Sequence, residues 1–271
     1  MTSSPKTPVF FISHGAPTFA IEPGQLGPQL QALGQQLPEL KAVLVVSPHW
    51  QSRGVKVSGT AQPETVHDFG GFPASLYTLT YPAAGQPELA REAARLLTAA
   101  GFAAELDEQR GLDHGAWVPL MHLLPQATVP VFQVSMPVNL TPEQAVQMGL
   151  ALAPLREQGV LIVASGSMTH NLYELHQPGS QPEPYPKEFA TWVKTAVLAN
   201  ARKPLIHYRA EAPHAERAHP TPEHFLPLLV AMGAQTDADQ VQIIEGGITY
   251  GVLSMDSFVW GMPASGSNTI A

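Results

Sequence analysis

Four short runs of mainly apolar residues recur along the chain. They span residues 9–12, 42–46, 131–134 and 161–164, and each is bounded by Gly, Pro or polar residues. Most of their positions are apolar without a regular alternation, which is typical of parallel strands that are covered on both faces. The pattern therefore predicts four buried strands.

Helical patterns separate these runs or follow them. The four clearest are residues 25–37, 87–100, 141–156 and 221–232. The last two open with Thr-Pro-Glu, which places a capping residue before a proline in the first turn. Strands that alternate with helices predict an α/β protein with a mostly parallel central sheet flanked by helices.

The rest of the chain predicts a hairpin, a single domain and a long loop. Residues 241–244 and 251–259 flank Gly246 and Gly247, which predicts a C-terminal antiparallel hairpin. Residues 1–271 are expected to form a single catalytic domain, with residues 262–271 as a frayed tail. Residues 61–84 form a long Pro/Gly-rich loop of the kind that often serves as a lid or a binding loop.

Composition narrows the function. The chain is 44% hydrophobic and only 13% charged, so bulk disorder is excluded, and its net charge of −8 gives no basic footprint for nucleic acid. The absence of cysteine excludes disulfides, thiolate nucleophiles and cysteine-bound zinc. The N-terminal apolar stretch is short for a signal peptide and no segment predicts a membrane span, so we expect a cytoplasmic protein without a membrane partner.

The 11 histidines carry the main chemical signal. His14, His49 and His170 each follow one of the predicted strands, at the edge of an α/β sheet where ligands bind. Any one of them could be a structural residue, but the repetition on three strands favours a metal site or an acid–base site. Neutral imidazole suits both iron and zinc.

Three further histidines leave alternatives open. His114 lies between glycines, either as an ordinary helix-start residue or as a proton donor near a substrate, and His67 is either an exposed loop residue or part of a lid. On a helix, Glu223 and His224 would point about 100° apart and would not both face one metal easily. Four aromatic residues near these motifs could sandwich an aromatic ring or simply pack in the core: Trp50, Phe69, Phe72 and Trp117.

Six motifs occur in order along the chain. They are SHGAP at 13–17, SPHW at 47–50, HDFGGFP at 67–73, LDHGAW at 112–117, SGSMTHN at 165–171 and HPTPEHFLP at 219–227. Together they resemble the DOPA-dioxygenase type of class III extradiol aromatic-ring-opening dioxygenases, which are related to the protocatechuate 4,5-dioxygenase catalytic subunit. The resemblance extends from about residue 8 to residue 260.

The resemblance implies one divalent metal per chain and a set of site residues. His14, His49 and His224 match the metal ligands, His170 matches either the active-site base or a further ligand, and His114 matches a second active-site histidine near substrate and oxygen. In the wider class the third ligand is a carboxylate, so Glu223 competes with His224. Bacterial members are often described as zinc-containing, whereas ring opening normally requires Fe(II).

The implied reaction is the cleavage of a catechol of the 4,5-DOPA type by O₂ to a muconic semialdehyde. The expected partners are then a small aromatic diol and O₂, in a monomer or small homo-oligomer. Two other functions remain open from the residues alone: a zinc-dependent hydrolase, and a non-catalytic binding protein on the same scaffold.

Overall fold

An eight-stranded sheet organises the part of the chain that the computed structural model describes, residues 6–263. The expected frayed tail lies outside the described residues from position 264 onward. The strands are β1 (Val9–Ser13), β2 (Ala42–Ser52), β3 (Val55–Ser58), β4 (Ala104–Asp107), β5 (Val131–Pro137), β6 (Val160–Gly166), β7 (Val241–Ile244), β8 (Ile248–Thr249), β9 (Leu253–Ser254) and β10 (Ser257–Trp260).

The strand order in the sheet is β4-β3-β5-β2-β6-β1-β10-β7. The four central strands β5, β2, β6 and β1 are parallel, and they correspond to the four runs predicted from the sequence. At one side β10 and β7 add antiparallel strands, and at the other β3 runs antiparallel to β5 and parallel to β4. The predicted α/β fold with a mostly parallel sheet is confirmed.

Nine α-helices surround the sheet within residues 6–263. They are α1 (Leu26–Gly34), α2 (Pro87–Ala99), α3 (His114–Leu123), α4 (Pro142–Leu152), α5 (Pro184–Leu198), α6 (Arg202–Ile206), α7 (Tyr208–Glu211), α8 (Ala215–Ala218) and α9 (Leu226–Ala234). Short 3-10 helices span Pro17–Ala20, Ala74–Thr78, Ala153–Gln158 and Leu172–Glu174. In the same part of the chain, no helix combines the length and apolar character needed to cross a membrane.

The sheet is buried on both faces, which explains the apolar strands. In β1, Val9 and Phe11 pack into the core on one side of the sheet, while Phe10 and Ile12 pack into the core on the other. The first core also contains residues of α2, α4, α5 and α9, and the second contains residues of α1 and α3. Successive strand residues point to opposite faces, so each face needs its own apolar cover.

Two predicted boundaries are wrong. The capped helix starting at Thr141 is confirmed, with Thr141 and Gln144 forming a capping box. The similar pattern at Thr221 does not start a helix, because α9 begins only at Leu226 and turns occupy the residues before it. The C-terminal antiparallel pairing is present between β7 and β10, but Gly246 and Gly247 do not form its turn, because the small hairpin β8-β9 is inserted between these strands.

A buried ion pair lies near the starts of β1 and β6, at the opposite end of these strands from the histidines. The Arg156 guanidinium is only 1% exposed and donates to both carboxylate oxygens of Asp239, at 2.6 and 3.0 Å. It also donates to the backbone carbonyls of Thr7 and Ala234. Burial acts to raise the pKa of Asp239, but the hydrogen bonds from Arg156 and Thr236 lower the pKa below its usual value.

We expect Asp239→Asn to lower the free energy of unfolding by about 3 kcal/mol at pH 7, because it leaves a buried guanidinium without its counter-charge. Because the folded-state pKa of Asp239 is depressed, this stabilisation is present above the unfolded pKa of about 3.9 and is lost as pH falls through the folded pKa. Urea unfolding at pH 7 and at about pH 3 measures the difference. Asp237→Asn, at an exposed neighbouring carboxylate, is the control, and an equal loss in that variant would contradict the ion-pair assignment.

Candidate active site

Three adjacent strands bring histidines to one edge of the sheet. His14 follows β1, and its backbone N–H donates to Gly166 at the end of β6 (2.9 Å). His49 was expected just past the end of its strand, but it lies inside β2, where the pairing with β5 shifts between Val46 and Gln51. The pairing of β2 with β6 stops at Val46, so His49 lies beyond the regular ladder.

His224 joins this edge from the segment before α9. Its carbonyl accepts a hydrogen bond from the backbone N–H of Ser167, just after β6, at 2.9 Å. One nitrogen each of His14, His49 and His224 lies within 4.8 Å of the other two. The structure therefore brings together the three residues that the sequence resemblance marked as metal ligands.

Two ring nitrogens meet inside the cluster, and a third is buried without a partner. The Nε2 atoms of His14 and His49 are 3.0 Å apart. The Nε2 atom of His224 is buried and has no hydrogen-bond partner among the described residues. A buried polar atom without a partner is unfavourable, and a ligand at this point would satisfy it.

The Nδ1 atoms of the same rings face oxygen atoms outside the cluster. His14 Nδ1 lies 2.9 Å from Ser165 Oγ, and His224 Nδ1 lies 3.1 Å from Glu223 Oε1. His49 Nδ1 lies 3.7 Å from Asp68 Oδ2. Partners of this kind orient metal-binding histidines by holding a proton on the nitrogen that does not bind. In this arrangement Glu223 Oε1 faces the Nδ1 atom of His224.

His170 occupies a different position from the three-histidine group. Its ring stacks on that of His224, with centroids 3.4 Å apart and planes 9° apart. One ring nitrogen each of His170 and His224 and one carboxylate oxygen of Glu223 lie within 4.8 Å of one another. His170 is not part of the group that His14, His49 and His224 form. The loop that carries His170 is held by a hydrogen bond from its backbone N–H to Ala218 (2.8 Å).

His114 begins helix α3 and also faces the cluster. Its ring centroid lies 3.9 Å from that of His49 and 5.6 Å from that of His14. Asp113 caps the helix by accepting from the Ala116 N–H, and Asp68 Oδ1 accepts from both the backbone N–H and the Nδ1 of His114, at 2.9 and 3.0 Å. His114 is therefore both a helix-start residue and a site residue, the two readings that the sequence left open.

Burial keeps four imidazoles of the cluster uncharged at neutral pH, those of His14, His49, His170 and His224. Desolvation, followed by the neighbouring histidines, lowers the pKa of His14 and that of His224 well below the usual value. Desolvation also lowers the pKa of His49 to about 3 and that of His170 to about 4. A neutral imidazole has a free lone pair, so these rings can bind a cation or accept a proton.

Asp68 carries a negative charge beside the rings. Burial acts to raise the pKa of this carboxyl, but its hydrogen bonds and charge interactions with His114, and the nearby His49, lower the pKa to about 2. No role was predicted for Asp68, Asp113 or Ser165, and Glu223 was predicted only as a ligand that competes with His224. Their only sequence signal is that three of them directly adjoin a histidine in a motif, and Ser165 lies in the motif that carries His170.

A buried polar network around Asp113 lies next to the histidine cluster. Asp113 is fully buried and accepts hydrogen bonds from Ser47 Oγ at 2.8 Å, Gln133 Nε2 at 2.8 Å and Arg110 Nη2 at 3.2 Å. Arg110 Nη2 also reaches the His49 carbonyl at 3.3 Å. The network thus ties the backbone of β2 near His49 to the start of α3.

The remaining motif residues have structural contacts. His67 Nε2 lies 3.0 Å from the Leu79 carbonyl within the 61–84 loop, and the fully buried His219 lies 2.9 Å from the Met168 carbonyl. Of the four aromatic residues proposed to hold a ring, Phe69 lies edge-on to His114 at 5.6 Å, and Phe72 packs on Phe69. Trp117 is fully buried in the core and Trp50 lies under Arg110, so neither is free to sandwich a ligand.

Comparison with known proteins agrees with this geometry. Residues 8–255 match the family described as the catalytic LigB subunit of aromatic ring-opening dioxygenase. The chain is 39% identical to a 4,5-DOPA dioxygenase extradiol of Beta vulgaris, over 92% of this chain and 94% of the relative. It is 38% identical to the Escherichia coli K12 protein of the same name, over 93% of this chain and 94% of the relative.

A solved structure shares the fold. The crystal structure of the uncharacterized protein JW3007 from Escherichia coli K12 matches with a TM-score of 0.79 and 32% identity, and covers 94% of this chain and 99% of that one. The fold and the histidine cluster define an oxidoreductase of the dioxygenase class. The chain belongs to the LigB family of aromatic ring-opening dioxygenases, as the six sequence motifs predicted.

Gly115 offers a steric test of the site. A Cβ atom at this position would lie 2.3 Å from Ser47 Oγ and 3.0 Å from His49 Cδ2. We expect Gly115→Ala to displace His49 and lower kcat/KM for ring opening by about 100-fold, because small misplacements of site groups have effects of that order. Oxygen uptake with a catechol measures the effect. Gly70→Ala is the matched control, since a Cβ atom there meets nothing within 4 Å, and equal losses in the two variants would contradict the argument.

Proposed function

We propose that this protein is a metal-dependent extradiol dioxygenase that cleaves a catechol of the 4,5-DOPA type with O₂ and releases a muconic semialdehyde. The observation that carries the proposal is the convergence of one ring nitrogen each of His14, His49 and His224, together with the buried and unpartnered Nε2 of His224. The names of the relatives support the substrate class. Both oxygen atoms of O₂ enter the product, as the term dioxygenase requires.

The residues present fit one divalent metal ion per chain. Three neutral imidazoles leave coordination positions open for a substrate, as a catalytic site requires. The unpartnered His224 Nε2 supports a ligand at this point, and the oxygen partners on the three Nδ1 atoms support binding through Nε2. When bound, the ion would supply Lewis acidity toward the catechol oxygens and, as Fe(II), the redox chemistry that O₂ requires.

His170 is the proposed base. Its neutral imidazole can accept a proton from a catechol hydroxyl, and burial keeps it neutral at pH 7. The parallel stack on His224 supports this role over that of a fourth ligand, because the in-plane lone pairs of two stacked rings run side by side and do not meet. Glu223 lies beside both rings and favours the protonated form of His170 after the transfer.

His114 is the proposed proton donor and orienting group on the opposite side. Asp68 Oδ1 holds the Nδ1 proton of His114, which leaves Nε2 available to the site. We assign to His114 the exchange of a proton with the reacting groups at Nε2 and the orientation of a developing negative charge. Phe69 stands against the His114 ring and helps to exclude water from it.

Charge, composition and size bear on the partners, the location and the oligomeric state of the enzyme. The net charge of −8 supports a small-molecule substrate and no nucleic-acid partner, and the absence of cysteine is compatible with the cytoplasm. We further infer a monomer or small homo-oligomer. A domain of this size buries enough surface to be stable alone.

The metal requirement is tested by reconstitution. We expect metal-free protein to bind one Fe(II) per chain under anaerobic conditions and then to consume O₂ with a catechol and form a yellow product. The zinc form should be inactive, because zinc has no redox chemistry. Oxygen electrode traces and product absorbance over a small panel of catechols measure this.

The ligand set has its own control within that experiment. His49→Ala should lose the metal, while His122→Ala should keep it, because His122 lies away from the cluster against the Phe19 carbonyl. Full metal occupancy in His49→Ala would overturn the ligand assignment. Ring cleavage by the zinc form at the rate of the iron form would overturn the redox argument, and hydrolysis without O₂ uptake would indicate a zinc hydrolase.

His170→Ala separates the base from a ligand. We expect this variant to keep its Fe(II) and to lose turnover by about 10² to 10⁴, the usual contribution of a general acid or base. Metal content and kcat are measured on the same preparation. A loss of metal that parallels the loss of activity would defeat the base assignment.

A further inference from the structure

The 61–84 loop sends one carboxylate into the active site. Asp68 has its backbone at the surface, yet its side chain is only 21% exposed and turns toward the histidines. The loop is fixed just before this residue by a bridge between Thr65 and Leu112, with hydrogen bonds of 2.8 Å on either side of it. Trp117 Nε1 adds a bond to the Val66 carbonyl at 3.0 Å. The position of Asp68 is therefore set by the segment that leads into α3.

The two carboxylate oxygens of Asp68 serve different histidines. Oδ1 accepts from the backbone N–H and the Nδ1 of His114, at 2.9 and 3.0 Å. Oδ2 lies 3.7 Å from Nδ1 of His49, within ion-pair distance though longer than a hydrogen bond. The His49 and His114 rings are themselves only 3.9 Å apart. One rigid carboxylate thus spans a proposed metal ligand and the proposed proton donor.

We propose that Asp68 is a positioning residue that orients His49 toward the metal and His114 toward the substrate, and so fixes the two rings relative to each other. This inference rests on the proposed function. Its physical basis is that a carboxylate on Nδ1 selects the tautomer and the ring orientation that present Nε2. Asp68 comes from the loop, His49 from β2 and His114 from the start of α3, so the loop becomes part of the active site.

A purely structural role makes a different prediction. Because Asp68 also accepts from the backbone N–H at the first residue of α3, it could act only as a helix cap. A cap would affect stability and leave metal affinity unchanged. Asp68→Asn keeps an oxygen for His114 but places an amide NH₂ opposite the His49 N–H, whereas Asp68→Ala removes both contacts.

Metal affinity tests the His49 contact without any turnover. Metal-free protein is titrated with Co(II) and followed by visible absorbance. We expect Asp68→Asn and Asp68→Ala each to weaken Co(II) binding by about 10- to 100-fold, the usual effect of losing a partner of a metal-binding histidine. Glu64→Gln, an exposed carboxylate of the same loop, should bind Co(II) as the wild type does. Wild-type affinity in Asp68→Ala would overturn the proposal.

A double-mutant cycle tests the His114 contact. At saturating Fe(II), Asp68→Ala should lower kcat by about 10- to 100-fold in the wild-type background, and Asp68→Asn should lower it less. In the His114→Ala background the further loss from Asp68→Ala should shrink to about twofold, because the group through which Asp68 acts is gone. An equal loss of kcat in both backgrounds would overturn the claim that Asp68 positions His114.

The two hypotheses fail in different ways. If the Fe(II)-loaded wild type consumes no O₂ with any catechol, the proposed function is wrong, while the Co(II) titration still decides whether Asp68 orients His49. If the wild type is active and Asp68→Ala matches it in Co(II) affinity and kcat, only the positioning role is wrong.

Discussion

The active site depends on the parallel pairing of β2, β6 and β1. Parallel strands end at the same edge, so the backbone hydrogen bonds that align these strands also bring His14 and His49 together. The apolar layers on both faces of the sheet then exclude water from the rings and keep them neutral. The same burial that stabilises the fold thus prepares the lone pairs that the proposed chemistry requires.

A second constraint concerns the side chains that surround the histidines and set the orientation of their rings. Five histidine rings and two carboxylates lie close together, and in the proposed metal site His14, His49 and His224 must each present the correct nitrogen. Ser165, Asp68 and Glu223 meet this need, because each faces an Nδ1 atom and leaves Nε2 directed inward. The buried Asp113 accepts from Ser47 of β2 and caps the start of α3, so that one side chain connects the segments that carry His49 and His114.

Sequence patterns predicted the parts of this structure that depend on local or repeated signals. The buried strands, the capped helix at Thr141 and the histidines at strand ends follow from apolar runs and capping residues. The start of α9 was misplaced because a Thr-Pro-Glu pattern also suits a turn, and here the His224 carbonyl is bound by Ser167 from a distant strand. The strands β3 and β4 are too short and too polar to stand out as apolar runs.

The supporting carboxylates could not be assigned from the sequence for a related reason. Whether Glu223 binds a metal or supports His224 depends on the exact placement of the backbone, which no spacing rule specifies. The structure places Glu223 Oε1 on Nδ1 of His224, and this position has an electrostatic consequence. Three neutral imidazoles would leave the charge of a bound cation uncompensated at the centre, with Asp68 and Glu223 balancing it from outside. An anionic catecholate would then meet a site that is positive where it binds and negative behind the histidines. Such a field would favour a deprotonated diol over a neutral one, which is the form that His170, the proposed base, would produce.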